Sequence, residues 1–269
     1  MSSNNSSSPM SRLIPILLIF AGLIGLFYLY QYLFGARSSN SYPLVQVSQD
    51  ASPSAPIVVS SDKLPVLYEG GEFTITTWFY ISNWSVPTRG IPKYIMSVGG
   101  KNFRTIRIYL GGSKPKLHVR LTTRQPGAAV NSSGDQLDTV NDASIFTVQD
   151  TDSGLLDSSP LCDLPEVDLQ RWVNLTVAVN GKTVDVYLDG KLSRSCVMPF
   201  PFRVDTSYQA TLLDYKGFGG KLSTTTMYDS ALNPDAVYKN YLAGPEPITS
   251  LSGWISNFFA IPSINVSVK

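Results

Sequence analysis

The stretch Arg171-Trp-Val-Asn-Leu-Thr-Val-Ala-Val-Asn-Gly-Lys-Thr-Val-Asp-Val-Tyr-Leu-Asp-Gly-Lys191 is written as a β-meander. Val173, Leu175, Val177 and Val179 alternate with Trp172, Asn174, Thr176 and Ala178, the period-two pattern of a strand with one buried face. Asn180-Gly181 then supplies the two positive-φ positions of a type I′ hairpin turn. The return strand alternates through Val184, Val186 and Leu188, and Asp189-Gly190 opens a second turn. Three antiparallel strands so closely spaced predict a sandwich or jelly roll and argue against an α/β enzyme core.

Outward from the meander, Phe73 to Ile81 reads as a strand of aromatic and β-branched residues, and Lys93 to Val98 as another. Phe103 to Leu110 and Lys116 to Leu121 form a hairpin around Gly111-Gly112-Ser-Lys-Pro115. Ala210 to Tyr215 and Lys221 to Tyr228 regain strand character. Asn233-Pro234 then opens a short helix, with Asn as N-cap and Pro at the first helical position. Between Thr122 and Leu161 the alternation fades into Gly, Asn, Ser and Asp, a long polar insertion.

The meander, together with Gly217-Phe-Gly-Gly-Lys-Leu-Ser-Thr-Thr-Thr-Met-Tyr-Asp-Ser-Ala-Leu-Asn-Pro-Asp-Ala-Val-Tyr-Lys-Asn-Tyr-Leu-Ala-Gly244, resembles the laminin G-like, concanavalin A-like lectin/glucanase superfamily. The resemblance runs from about Val58 to Gly244. It implies an all-β fold, an antiparallel β-sandwich of the concanavalin A-like jelly-roll type. It leaves function open, because the superfamily hosts lectins, glycosidases, adhesion modules and structural domains. An N-terminal anchor joined to one such domain is similar to proteins carried by large DNA viruses of algae and protists.

The anchor is read from Leu13 to Phe34, 22 residues without a charge. At about 1.5 Å per residue they span the ~30 Å hydrocarbon core, so 13–34 is expected to be a transmembrane helix with the lipid bilayer as partner. Phe27, Tyr28, Tyr30, Tyr32 and Phe34 suit the headgroup level. Residues 1–12 form a Ser/Asn-rich, disordered N-terminus, 35–57 a Ser/Pro-rich stalk, 58–245 the laminin G-like domain and 246–269 an amphipathic tail. In that tail Ile248, Leu251, Trp254, Ile255, Phe258, Phe259 and Ile261 recur at helical spacing. One basic residue flanks each end of the anchor, Arg12 and Arg37, so charge alone gives little orientation.

Four glycosylation acceptor patterns, at Asn83, Asn131, Asn174 and Asn265, and an even cysteine pair, Cys162 and Cys196, place the large C-terminal domain outside the cytosol. The cysteines lie before and near the end of the meander, so they are expected to meet as a disulfide; as thiols they would be small core residues. A net charge of +1 with scattered Lys and Arg gives no footprint for nucleic acid.

Catalysis is argued against by what the acids lack. A glucanase of this superfamily carries paired carboxyl groups on a strand, and the nearest match here is Glu166-Val-Asp168-Leu-Gln170. Gln170 does not cycle a proton, and the segment precedes the Trp172 strand, where a loop is expected. His118, the single histidine, is expected on a strand surface with no Gly-x-Ser-x-Gly nucleophile motif. One His and two distant Cys do not complete a zinc site. Asp135, Asp138, Asp142, Asp150 and Asp152 would be the ligands if the insertion held calcium, although solvated loop acids explain them as well. The expectation is therefore a single-pass, membrane-anchored, non-catalytic domain without a cofactor. It would recognise a glycan, or join a capsid or envelope protein in a cell envelope or virion membrane. A glycoside hydrolase is the alternative. The register after Asp189-Gly190 stays open between Asp185 opposite Arg194 and, with a bulge at Gly190, Leu192 against Val186.

Overall fold

A computed structural model describes residues 19–26, 29, 40–87, 90–123 and 162–246. The chain divides into two compact units, 1–39 and 40–269. In the first, the described residues 19–26 are helical and exposed. Among the described residues no helix is long and apolar enough to cross a membrane. Apart from residue 29, which is also helical and exposed, the rest of the expected span, the N-terminus and the tail from 247 on lie outside the described residues.

The second unit is a two-sheet sandwich. Its strands are β1 (Ser41–Val45), β2 (Gln49–Asp50), β3 (Ile57–Val59), β4 (Glu72–Asn83), β5 (Lys93–Gly99), β6 (Arg104–Leu110), β7 (Leu117–Leu121), β8 (Trp172–Asn180), β9 (Thr183–Leu188), β10 (Lys191–Val197), β11 (Gln209–Leu212) and β12 (Gly219–Tyr228), followed by helix α1 (Pro234–Leu242). One sheet runs β1-β12-β4-β8-β9-β10, with β2 also on β12; the other runs β3-β11-β5-β6-β7. All pairings are antiparallel. The meander is β8-β9-β10, and its odd-numbered apolar residues Val173, Leu175, Val177 and Val179 enter the core together with Phe73, Ile75, Ile106, Ile108 and Val119. Gly181 and Gly190 both have positive φ, as their turns require.

Two expectations change. The stretch 35–57 is not a stalk over its described part: β1 pairs along β12 from Ser41↔Tyr228, and Ala51 is buried and bonded on both sides, to Gly220 and Phe218. Its Ser/Pro composition reads as linker, yet β1 is an edge strand, and an edge tolerates Pro43 because one side makes no ladder bonds. The sandwich therefore begins at about residue 40 rather than 58. Asp189-Gly190 is a two-residue turn, with Lys191 facing Leu188 and Leu192 facing Tyr187, but a bulge between Leu192 and Arg194 then shifts the pairing so that Arg194 faces Val186 and Ser195 faces Asp185, and neither expected pair forms.

Helix α1 starts as its sequence dictates. The Asn233 side chain accepts a hydrogen bond from the Ala236 N–H at 2.8 Å. Its buried Val237 packs with Ala178 and Tyr187 on the outward side of the larger sheet, and Tyr241 stacks on Trp78 at 5.7 Å.

Candidate functional site

Strand alternation that sends Ile106, Ile108, Leu110, Leu117, Val119, Leu121, Ala210 and Leu212 into the core sends their neighbours to the opposite face of the five-stranded sheet. Register then aligns that face. One row crosses all five strands as Val58, Thr211, Ser97, Arg107 and Arg120. Beside it Tyr94, Tyr109 and His118 form a second row, stacked nearly parallel at 6.0 and 4.8 Å, with Tyr215 edge-on to Tyr94 at 5.4 Å. Apart from Val58 and Tyr215, these side chains are buried. The hydroxyls of Ser97, Thr105 and Thr211 are buried without a hydrogen-bond partner, which is costly for a polar group.

At the β7 edge the second row ends in a charged cluster. Arg120 holds Asp163 with both guanidinium nitrogens, one of them at 2.8 Å. His118 Nδ1 lies 3.1 Å from the same carboxylate and Lys116 Nζ 3.6 Å. His118 Nδ1 is also 3.2 Å from Arg120 Nη2, but an ionised carboxylate only accepts, so the 3.1 Å contact with Asp163 assigns the proton to Nδ1, which donates it to the carboxylate. Burial pushes the Asp163 carboxyl up, but hydrogen bonds and charge from His118 and Arg120 more than offset this and hold it well below its ordinary value of 3.8.

The backbone around Asp163 joins the two sheets. Leu164 bridges to Leu117 of β7, Arg194 of β10 donates to the Asp163 carbonyl at 2.7 Å, and Cys162 is disulfide-bonded to Cys196 of β10. The expected disulfide is thus present, and it clamps the segment before β8 against the far edge of the larger sheet.

Other expected residues are dispersed. Glu166 and Asp168 are exposed in the segment ahead of β8, and Asp168 is paired with Arg171 at 2.6 Å. Gln170 sits at positive φ, its N–H donating to Ile81. These three share no strand, so no strand-borne acid pair forms from them. His118 is not on an exposed strand surface as expected, because Asp163 and Tyr109 cover it. Asn83 is exposed and remains open as a glycosylation acceptor. Asn174 is not: it is fully buried between β4 and β9, beside Trp78. Asn131, Asn265 and the aspartates at 135, 138, 142, 150 and 152 lie outside the described residues. Among the described residues no cluster of three His, Cys, Asp or Glu is placed to hold a metal.

Sequence reading missed Asp163, Arg107, Arg120 and the three hydroxyls. The signal was present in part: Lys116, His118 and Arg120 occupy alternate positions of one strand, which puts three basic groups on one face. Their acidic partner lies 43 residues after Arg120, so local pattern does not reach it.

The family profile described as the concanavalin A-like lectin/glucanases superfamily matches residues 54–238, and the chain belongs to that family. No curated protein sequence matches it. Similar solved structures include the botulinum neurotoxin serotype D binding domain, at 10% identity and a TM-score of 0.47, covering 78% of this chain and 47% of that one. The binding domain of Paraclostridial Mosquitocidal Protein 1 is similar at 15% identity and a TM-score of 0.44, covering 77% and 48%. The chain thus spans about half the length of these toxin domains. The Ruminococcus gnavus IT-sialidase CBM40, solved bound to α2,3-sialyllactose, is similar at 14% identity and a TM-score of 0.46, covering 74% and 97%.

Proposed function

We propose that this member of the concanavalin A-like superfamily is a non-catalytic recognition domain. In this reading the 13–34 segment anchors it as a single-pass membrane protein, and it takes a glycan on the outward face of its five-stranded sheet. The observation that carries the reading is the trio of buried hydroxyls, Ser97, Thr105 and Thr211, without protein partners and beside two arginines and a stacked aromatic row. A sugar offers many donors and acceptors at hydroxyl spacing, together with an apolar ring face that stacks on tyrosine. The Cys162–Cys196 bond supports a domain outside the cytosol, since disulfides persist in oxidising compartments.

An architectural part in a cell envelope or viral particle is the second reading. It draws on one observation: Tyr94, Thr105 and Tyr109 are closed off from solvent, as expected of a layer that stabilises rather than one that waits for ligand.

The two separate on a glycan array probed with the detergent-solubilised full chain. Ser97→Ala combined with Thr211→Val removes hydroxyls that make no protein hydrogen bond, so folding should be retained. Loss of two sugar hydrogen bonds should weaken glycan binding about tenfold or more. No glycan bound by the wild-type chain, or binding that the double variant leaves unchanged, refutes the glycan reading and favours the architectural one.

A further inference from the structure

One end of the sandwich gathers the start of β4, the β8–β9 turn, the end of β10, the end of β12 and the start of β1, as the registers Glu72↔Asn180, Val197↔Thr183 and Ser41↔Tyr228 require. Two loops at this end carry exposed apolar side chains. Val66 is 78% exposed and Tyr68 62%, in the loop before β4; Val197 is 72% exposed and Phe200 37%, at and after the end of β10. The loops form one surface. Gly181 donates to Gly71 at 3.0 Å and Met198 to Lys182 at 2.7 Å, while a Cβ placed on Gly70 would lie 3.3 Å from Pro201. Single exposed apolar residues are ordinary, but four on adjoining segments at one end of the sandwich form a candidate contact surface.

The chain enters the domain at this same end. Asn40 is tied to Asp229 just beyond β12, through its backbone and its side-chain amide. The uncharged run ends at Phe34 and β1 begins at Ser41, leaving six residues between, so even fully extended they reach only about 20 Å.

We propose that this end of the sandwich docks on the bilayer surface, with Val66, Tyr68, Val197 and Phe200 entering the headgroup–acyl boundary. The proposal rests on the membrane-anchor part of the reading above and is independent of the glycan part. Valine and aromatic tips suit that boundary, with Tyr68 holding its hydroxyl toward water. Lys182, whose ammonium donates to the Pro199 carbonyl at 3.1 Å, sits between the two loops at headgroup level. Docking turns the opposite end, with the β9–β10 turn, away from the membrane and leaves the outward sheet faces roughly perpendicular to it.

The test uses the full chain in phosphatidylcholine vesicles containing nitroxide-labelled lipid. A polarity-sensitive fluorophore is placed on one introduced cysteine at a time, Val66→Cys, Val197→Cys or, at the opposite end of β10, Lys191→Cys. All three positions are exposed, so the substitutions leave the core intact. The chain should float with the vesicles, and labels at 66 and 197 should be quenched by lipid several-fold more than the label at 191. Flotation with equal quenching at all three sites overturns docking and leaves the anchor standing. Labels at 66 and 197 that are shielded from water yet not quenched by lipid point to a protein partner and likewise overturn it. A chain that does not float overturns docking together with the anchor.

Discussion

The outward faces of the two sheets are built by the same alternation and finished differently. On the larger sheet, Thr74, Thr76, Trp78 and Thr176 turn outward and the chain covers them itself. Thr176 bonds Thr76 at 3.0 Å, Thr74 donates to Ser230 and accepts from Leu232, and α1 lays Val237 and Tyr241 over Ala178 and Trp78. The Asn174 Nδ2 is the exception, buried and unpartnered. On the smaller sheet, the outward residues are basic, aromatic and hydroxylic, with three hydroxyls unpartnered and one carboxylate gathering the charges at the edge. A covered face in which most polar atoms are paired is finished structure. A covered face that retains several unpaired ones is either awaiting a ligand or kept for a reason other than stability.

The contrast is broken most directly at Asp163. Asp163→Asn leaves Arg120 buried without its counter-charge, and removing one member of a buried pair costs about 3–5 kcal/mol. The denaturation midpoint should fall accordingly, and a loss under about 1 kcal/mol, typical of an exposed pair, would show that the cluster does not hold the edge. The pH dependence has a defined sign. Because the folded carboxyl titrates below 3.8, its contribution is full above that value and fades as pH drops through the lowered folded value. Wild type should therefore lose stability on acidification below 3.8 more steeply than Asp163→Asn. Parallel acid profiles would count against the pairing.

The disulfide sharpens the comparison because it connects the β7 edge of one sheet to β10 of the other. Closing a span of 34 residues stabilises by about 3–4 kcal/mol in the chain-entropy account. Cys162→Ser and Cys196→Ser should each remove that amount, and the double variant should be no worse, since one bond is lost in every case. Hydrogen exchange should quicken around Leu117 and Leu164 while the β4–β8 ladder beneath α1 is little affected. Additive losses, or exchange that quickens equally on both faces, would mean that the bond does not act at this edge.

What the sequence made legible follows the range of the interactions. The meander, the β6–β7 hairpin and the cap of α1 are local, and turn chemistry with period-two alternation specifies them. β1 carries the composition of a stalk because an edge strand needs only half a ladder and so tolerates Ser and Pro. The second face was not legible as a site. Ser97, Arg107, Arg120 and Thr211 sit on four strands, and only the register of the folded sheets sets them in one row. Asn174 shows the converse: an acceptor pattern is a local sequence fact, whereas access to it depends on burial between β4 and β9.

The smallest effect is expected on the finished face. Asn233 caps α1 through the Ala236 N–H, and replacing such a cap with Ala costs about 1 kcal/mol. Pro234 still presets the first helical turn and Val237 remains buried against Ala178 and Tyr187, so the helix should fray at its start rather than leave the sheet. Asn233→Ala should therefore lower the denaturation midpoint slightly, raise exchange at Ala236, and leave the Trp78–Tyr241 stack in place. Near-ultraviolet circular dichroism reads that stack. A spectrum changed by this single substitution would show that the cover over the larger sheet depends on its cap, and that this face is closed as loosely as the other is left unpaired.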